Sequence, residues 1–248
     1  MRVICLVPSL TETLLECGVN VVGRTRFCIH PASRVAEITR VGGTKGVDWE
    51  RCATLSPDIV IFDREENIKA MAEACPWDWH ATHITSVDNI GSELLKLAQV
   101  LENTALAELG AKWNSLASLP DNLPVKVAEI PGLIDTVGDT SRNYQHLEYV
   151  IWRDPWMVVG PDTFIQSMLG KLGMRSMLVN HDKSYPELEP QAMQRDDTFY
   201  LFSSEPFPFA RHKQALIDAG FNGAIVDGEG YSWFGIRSFN FLHQHLTQ

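Results

Sequence analysis

This 248-residue chain lacks any apolar run near the ~18 residues that a membrane-crossing helix needs. Met1-Arg2 leads straight into Val3-Ile4-Cys5-Leu6-Val7, too short for the hydrophobic stretch of a secretory leader and with no cleavage site after it. The expectation is a first core strand, and a cytoplasmic location for the chain as it stands or a periplasmic one if a leader precedes it. Basic residues are in the minority. The 21 Lys and Arg against 31 Asp and Glu give a net charge of -10, which argues against a nucleic-acid surface and leaves acidic protein contacts open. The five cysteines, Cys5, Cys17, Cys28, Cys52 and Cys75, all lie in the first third and form no C-x-x-C pair. Reduced, mostly buried thiols fit that pattern better than a disulfide framework or a structural zinc. The sequence has no phosphate loop, no G-x-S-x-G elbow and no H-E-x-x-H. His80 and His83 would point to opposite faces of a strand.

What is present is one structural sentence written twice. Leu6-Val7-Pro8-Ser9-Leu10-Thr11-Glu12 runs into an apolar-periodic segment ending at Gly18, and Val158-Val159-Gly160-Pro161-Asp162-Thr163-Phe164 runs into another ending at Gly173. Each reads as strand, capped turn, amphipathic helix and glycine stop. Ser9 and Glu12 have capping-box spacing. A further strand follows in each half, at Pro57-Asp58-Ile59-Val60-Ile61-Phe62 and at Asp197-Thr198-Phe199-Tyr200-Leu201-Phe202. Strands alternating with helices predict two Rossmann-like α/β lobes with largely parallel sheets. A hydrophobic content of 45% and a charged content of 21% suit a globular protein with two cores.

Between the halves, Ile90, Leu94, Leu97, Leu101, Ala105, Leu109, Trp113 and Leu116 step by three or four residues. The pattern predicts one helix over 88–118, roughly 45 Å long at 1.5 Å per residue, or alternatively a coiled-coil segment. Leu119-Pro120-Asp121-Asn122-Leu123-Pro124 is the clearest linker. The organisation expected is a first lobe over 1–87, the connecting helix, and a second lobe over 119–248 that begins with a strand at 125–130.

Aromatic residues collect in glycine- and proline-broken segments: Trp152 and Trp156, Tyr185, and Tyr231 with Trp233. Loops beyond strand carboxyl ends are where open α/β sheets bind ligands, and aromatic planes suit a flat, apolar, chelate-like guest. The same rings could instead be lobe core. Acids form a second pattern. Asp63, Glu65 and Glu66 follow a strand in the first half, and Glu205 follows its counterpart in the second. These carboxylates could meet arginines of a partner, or be solvated acids at helix starts.

Val7-Pro8-Ser9-Leu10-Thr11-Glu12, Val21-Val22-Gly23-Arg24-Thr25, Arg40-Val41-Gly42-Gly43 and Leu55-Ser56-Pro57-Asp58-Ile59-Val60-Ile61 occur in that order. The ordered set resembles the substrate-binding proteins of vitamin B12, haem and siderophore ABC importers, the helical-backbone metal receptors. The resemblance implies two α/β lobes joined by a single long backbone helix, a ligand cleft between the lobes, and no catalysis. The ligand would be a cobalamin-like corrinoid or another metal chelate, with no cofactor required. It implies one docking glutamate per lobe for an ABC permease, with Glu205 in the second lobe. In the first lobe Lys69 falls at the docking position and Glu65 and Glu66 lie just before it. Thr44 and Asp63 fall where the cobalamin receptor has aromatics flanking the corrin ring. Tyr185 keeps an aromatic, and Trp233 lies in the matching terminal segment. An enzyme acting on a tetrapyrrole or metal chelate, using His30, His80, Asp63 and Glu229, is the alternative; it needs two titratable groups converging.

Overall fold

Val3, Ile4, Cys5, Val60 and Ile61 are each wholly inaccessible to solvent, as the central strands of a parallel sheet covered on both faces must be. The computed structural model describes residues 1–124, 126 and 129–246. It divides into two compact units, one of Met1–Ser118 with Trp233–Phe239, the other of Leu119–Ser232 with Asn240–Gln248. Both are α/β. Among the described residues, no helix is long and apolar enough to cross a membrane.

Unit 1 holds β1 (Val3–Cys5), β2 (Val21–Thr25), β3 (Thr39–Gly43), β4 (Gly46–Val47), β5 (Ile59–Asp63) and β6 (Asp78–Thr82), ordered β4-β3-β2-β1-β5-β6. Every neighbouring pair is parallel except β3 with β4. The chain builds outward from β1 through β2 to β3, then returns to β5 on the other side of β1. That places a topological switch at β1/β5, where such sheets form ligand crevices. The intervening helices are α1 (Pro8–Glu16), α2 (Ala32–Val35), α3 (Trp49–Thr54) and α4 (Lys69–Glu73).

Helix α1 starts one residue before the expected cap. Pro8 takes the first helical position, where a missing N–H costs nothing. The Thr11 and Thr13 hydroxyls bond to the carbonyls of Val7 and Ser9. Glu12 does not close a capping box on Ser9; its carboxylate takes Arg237 instead.

The expected single connecting helix is two helices, α5 (Val87–Leu101) and α6 (Thr104–Ala117), packed as an antiparallel hairpin within unit 1. Ser86 and Asn89 form a true capping box at the start of α5. Glu102 turns left-handed at φ 51°, and Asn103 caps α6 by accepting from the Leu106 amide. The pair crosses at two glycines. A Cβ on Gly91 would overlap the Asn114 side-chain oxygen and lie 2.8 Å from the Gly110 carbonyl.

Unit 2 holds β7 (Leu133–Val137), β8 (His146–Trp152), β9 (Trp156–Val158), β10 (Glu187–Leu188), β11 (Thr198–Ser203) and β12 (Gly223–Val226), ordered β10-β9-β8-β11-β12-β7. Only β8, β11 and β12 run parallel; β7, β9 and β10 pair antiparallel, so this sheet is mixed rather than largely parallel. Asp154 at φ 63° reverses the chain directly from β8 into β9, leaving no room for a crossover helix. The strand expected at 125–130 falls partly outside the described residues. The helices are α7 (Phe164–Leu169), capped by Thr163, then α8 (Lys213–Asp218) and α9 (Gly228–Ser232). The final helix, α10 (Ile236–Leu246), contributes its first four residues to unit 1 and the rest to unit 2.

Candidate functional site

At the carboxyl edge of the unit 1 sheet, the loop after β2 is built on a buried arginine. Arg24 donates from Nε to the Val35 carbonyl at 2.7 Å, and from Nη1 to the Thr25 and Cys28 carbonyls at 3.1 and 3.0 Å. Three backbone acceptors satisfy a group that the sequence would place in solvent. Cys28 points inward, its Sγ 3.1 and 3.2 Å from the Thr11 and Thr25 hydroxyls, and burial pushes its thiol up. With Cys28 turned in, its neighbours turn out: Phe27 is 45% and Ile29 48% exposed. Phe27 lies over Gly43, and the Arg26 guanidinium sits 4.7 Å above the Phe27 ring.

Trp233 joins this face, because Trp233–Phe239 packs in unit 1. Its ring meets His30 edge-on with centroids 5.1 Å apart, and Arg237 lies 5.5 Å from its centroid. Phe27, Ile29 and His30 from the loop after β2 and Trp233 from the terminal segment thus give unit 1 exposed or half-exposed apolar and aromatic side chains. Phe27 and Ile29 were not singled out from sequence. The signal was available in the triplet Phe27, Cys28 and Ile29, a small, readily buried residue between two large apolar ones.

Across the same edge, Asn67 ties three segments together. Its Nδ2 donates to the Leu6 and Thr44 carbonyls at 3.2 and 2.9 Å, and its Oδ1 accepts from the Asp63 amide at 2.9 Å. Thr44 is therefore pinned through its backbone in the β3–β4 turn, half-exposed. Asp63 is fully buried, and this corrects its reading as a ligand contact. Its carboxylate accepts from Thr82 Oγ1 at 2.6 Å, the Glu65 amide at 2.9 Å and the Ile84 amide at 3.3 Å. Burial still holds the carboxyl above its ordinary value, with those hydrogen bonds pulling the other way. Asp63 anchors the loop, as its buried position and full set of donors require.

Glu65 is exposed on that loop, 3.3 Å from His83 Nε2. Glu66 lies beside it. Burial, then the nearby Asp63 charge, raise its carboxyl, while Lys45 opposes them. Glu205 is half-buried in the loop after β11, its carbonyl accepting from the Ser203 hydroxyl and its side chain packed on Gly228. His80, named in the enzymatic alternative, keeps its Nε2 buried on β6, and burial lowers its ring.

Two aromatic expectations in unit 2 are corrected. Trp156 belongs to the core, stacked on Phe209 at 6.3 Å and tilted against Phe221 at 5.2 Å. Tyr231 is fully buried between Tyr149 and Phe241, its hydroxyl donating to the Pro131 carbonyl at 2.8 Å. Trp152 is exposed at the carboxyl end of β8 and meets Phe207 edge-on at 5.6 Å. Tyr185 is exposed too, but stands elsewhere. Ser184 and Pro186, on either side of it, accept from the amides of Gly160 and Val158, so it flanks the sheet beyond β9. Tyr185 lines an open depression of about 420 Å³ with His181, Asp182, Lys183, Pro186 and Glu187.

No protein-family model and no curated protein sequence matches this chain. Solved structures do. The periplasmic vitamin B12-binding protein BtuF of Vibrio cholerae is similar at 16% identity, over 99% of this chain and 95% of that one, with a TM-score of 0.67. The periplasmic haem-binding protein RhuT of Roseiflexus sp. RS-1 is similar at 18% identity, over 98% and 95%, also with a TM-score of 0.67. The siderophore-binding protein FhuD of Vibrio cholerae, solved with Fe3+-Desferal, follows at 18%, over 100% and 96%, with a TM-score of 0.60.

The fold is the one these periplasmic binding proteins share.

Phe27, Ile29, His30 and Trp233 form an aromatic and apolar face of unit 1, and Tyr185 stands beside the depression of unit 2. Asp63, Trp156 and Tyr231 are structural. Among the described residues no group of three or more His, Cys, Asp or Glu side chains could hold a bare metal ion.

Proposed function

We propose that this protein is a non-catalytic binding protein for a metal chelate, of the cobalamin-like, haem or siderophore class, and serves as the substrate-binding component of an ABC importer. The observation that carries the reading is the match of nearly its whole length to structures that bind three different chelates. A chain that shares a fold with unrelated activities would support little; here the named functions agree in ligand chemistry. Unit 1 adds an aromatic face suited to a flat, largely apolar guest, and unit 2 adds Tyr185. Thr44, in the β3–β4 turn, and Trp152, at the carboxyl end of β8, are further candidate contacts.

Its working compartment in this reading is the periplasm, as for the binding proteins it is similar to. Glu65, Glu66 and Glu205 are the candidate contacts to a permease. Glu65 is the most accessible of the three.

The test is a titration of the purified protein with cobalamin, cobinamide, haemin and a ferric siderophore, followed by tryptophan fluorescence and calorimetry. The expected result is saturable quenching with one chelate class, weakened in Trp233→Ala. Absence of both quenching and heat with all four overturns the reading.

A further inference from the structure

The edge strands of the two sheets are not alike. β4 and β10 are two residues long, and β7, whose register slips against β12, carries Asp135 paired with Lys213 Nζ at 2.7 Å. Shortness, irregular register and edge charges are the usual means of keeping a strand from recruiting another. β6, the remaining edge, has few of them. It is five residues long, its register with β5 runs unbroken from Asp78 to Thr82, and it contains no proline, glycine or lysine. Trp79 stands 49% exposed on it.

The backbone of β6 is directional. The Thr82 carbonyl accepts from the Arg64 amide, so Thr82, His80 and Asp78 turn their amides and carbonyls toward β5. Trp77, Trp79 and Ala81 turn theirs to the open side, beyond which the sheet has no further strand. The open stretch ends at His83, whose amide already donates to the Glu93 carboxylate at 3.0 Å. Side chains alternate as well. Trp77 and Ala81 pack on the cluster that holds Phe62, and Trp79 meets Phe62 edge-on at 6.2 Å. Asp78 and His80 share the opposite face.

We propose that β6 is a self-association edge: two copies of this chain pair antiparallel through it, Trp79 opposite Trp79, joining their unit 1 sheets. Two-fold symmetry and the backbone directions leave few registers. With Trp79 at the axis, it forms the central hydrogen-bonded pair, flanked on each side by Trp77 against Ala81. One face then carries an unbroken row of tryptophan and alanine. On the other face Asp78 falls opposite His80 twice, at close positions where each carboxylate accepts from an imidazole N–H. Centring the pair on His80 or on Ala81 fails. Either register asks the His83 amide to bond across the axis while Glu93 holds it, and both separate Asp78 from His80. The occupant is a second copy because the strand is its own complement, polar on one face and apolar on the other, in the register its backbone permits. The pairing involves β6 alone and does not depend on chelate binding.

The experiment is sedimentation velocity on wild type, Trp79→Lys and Asp78→Lys from micromolar to millimolar protein, with hydrogen exchange of segment 77–82 at both ends of that range and a thermal melt of each variant. Wild type is expected to pass from monomer to dimer as concentration rises, and the Trp79 and Ala81 amides to exchange more slowly as it does. So short an edge makes a small interface, and a dissociation constant in the micromolar range or weaker is expected. Trp79→Lys sets two like charges at the axis and should weaken the dimer at least about tenfold. Asp78→Lys, at an exposed position, removes the acceptor opposite His80 and should weaken it too; it reads the proposal even where Trp79→Lys lowers the melting temperature. A wild type that stays monomeric throughout overturns the proposal. So does a dimer of unchanged affinity in both variants with 77–82 unprotected, because it uses another surface.

Discussion

Arg237 grips Glu12 across 225 positions of sequence, with Nη2 2.6 Å from Oε1 and Nε 2.9 Å from Oε2. The two parallel bonds are the bidentate geometry that only arginine supplies. They lock the start of α10 onto α1, and the Thr13 hydroxyl adds a bond from the Ile236 amide at 3.0 Å. Trp113 completes the attachment by donating to the Gly235 carbonyl at 3.1 Å. The segment that carries Trp233 is therefore held in unit 1 by polar contacts at three points.

Glu12→Ala is expected to destabilise the protein by about 2 kcal/mol, because the half-buried guanidinium loses its carboxylate. Arg237→Lys keeps the charge but not the fork, and should cost about half as much. Urea denaturation measures both. Equal stability of wild type and Glu12→Ala would remove the attachment from the account of unit 1.

Gly91→Ala is expected to cost about 2 kcal/mol, since the added methyl overlaps Asn114 and presses on the Gly110 carbonyl at the helix crossing. Asn114→Ala in the same chain should recover part of that loss, because a side chain can be cut back and the backbone carbonyl cannot. Thermal melting of the single and double variants checks the order.

Trp156→Ala and Trp233→Ala should behave oppositely. Removing a core ring is expected to cost about 3–5 kcal/mol and leave chelate affinity in the folded fraction unchanged. Removing Trp233 should cost less than half of that and weaken chelate binding at least about tenfold. Paired denaturation and calorimetric titrations of each variant decide it; a Trp156→Ala protein that melts like wild type contradicts its place in the core.

Glu66 gives a pH dependence of definite sign. Its folded-state carboxyl lies above the ordinary value through burial and the Asp63 charge. The unfolded chain therefore releases that proton first as pH rises. Its stability contribution is full below the ordinary carboxylate value and is lost as pH climbs through the raised one. Glu66→Gln removes the titration, so its advantage over wild type should grow as pH rises from the ordinary carboxylate value through the raised one. Melting temperatures across that range test the difference; a constant gap would contradict it.

Local chemistry made much of the fold readable. The buried runs at Val3-Ile4-Cys5 and Ile59-Val60-Ile61, the cap at Asp48 and the cap at Thr163 are each stated by a few adjacent residues. The break between α5 and α6 was not readable in the same way. Leu101 and Ala105 keep the three-to-four spacing across it, and Glu102 turns left-handed without a glycine to announce it. Asn103 was the lone clue. Strand β7 escaped as well, because four of its five residues are exposed or nearly so and supply no alternation.

The candidate site divides along the same line. Trp156 and Trp152 are four positions apart on either side of one turn, yet one is core and the other exposed, a difference set by what Phe209 and Phe221 bring from distant sequence. Asp63 looked available for a ligand because it falls where the cobalamin receptor has a ring-flanking aromatic, and only Thr82 and Ile84, arriving from β6 and beyond, show its carboxylate to be used up. The pairing of Glu148 with His181, Oε1 to Nε2 at 2.8 Å, joins residues 33 apart with no motif to mark it.

Sequence alone determined the alternation of strands and helices, the two-unit α/β class and the apolar residues that fill both sheets. Those follow from hydrophobic period and from capping, which act over a few residues. Only the tertiary structure decided which aromatics face solvent, which acids are buried and that the final segment returns to unit 1. Those depend on partners far away in the chain, and burial is a property of the packed whole rather than of any residue by itself.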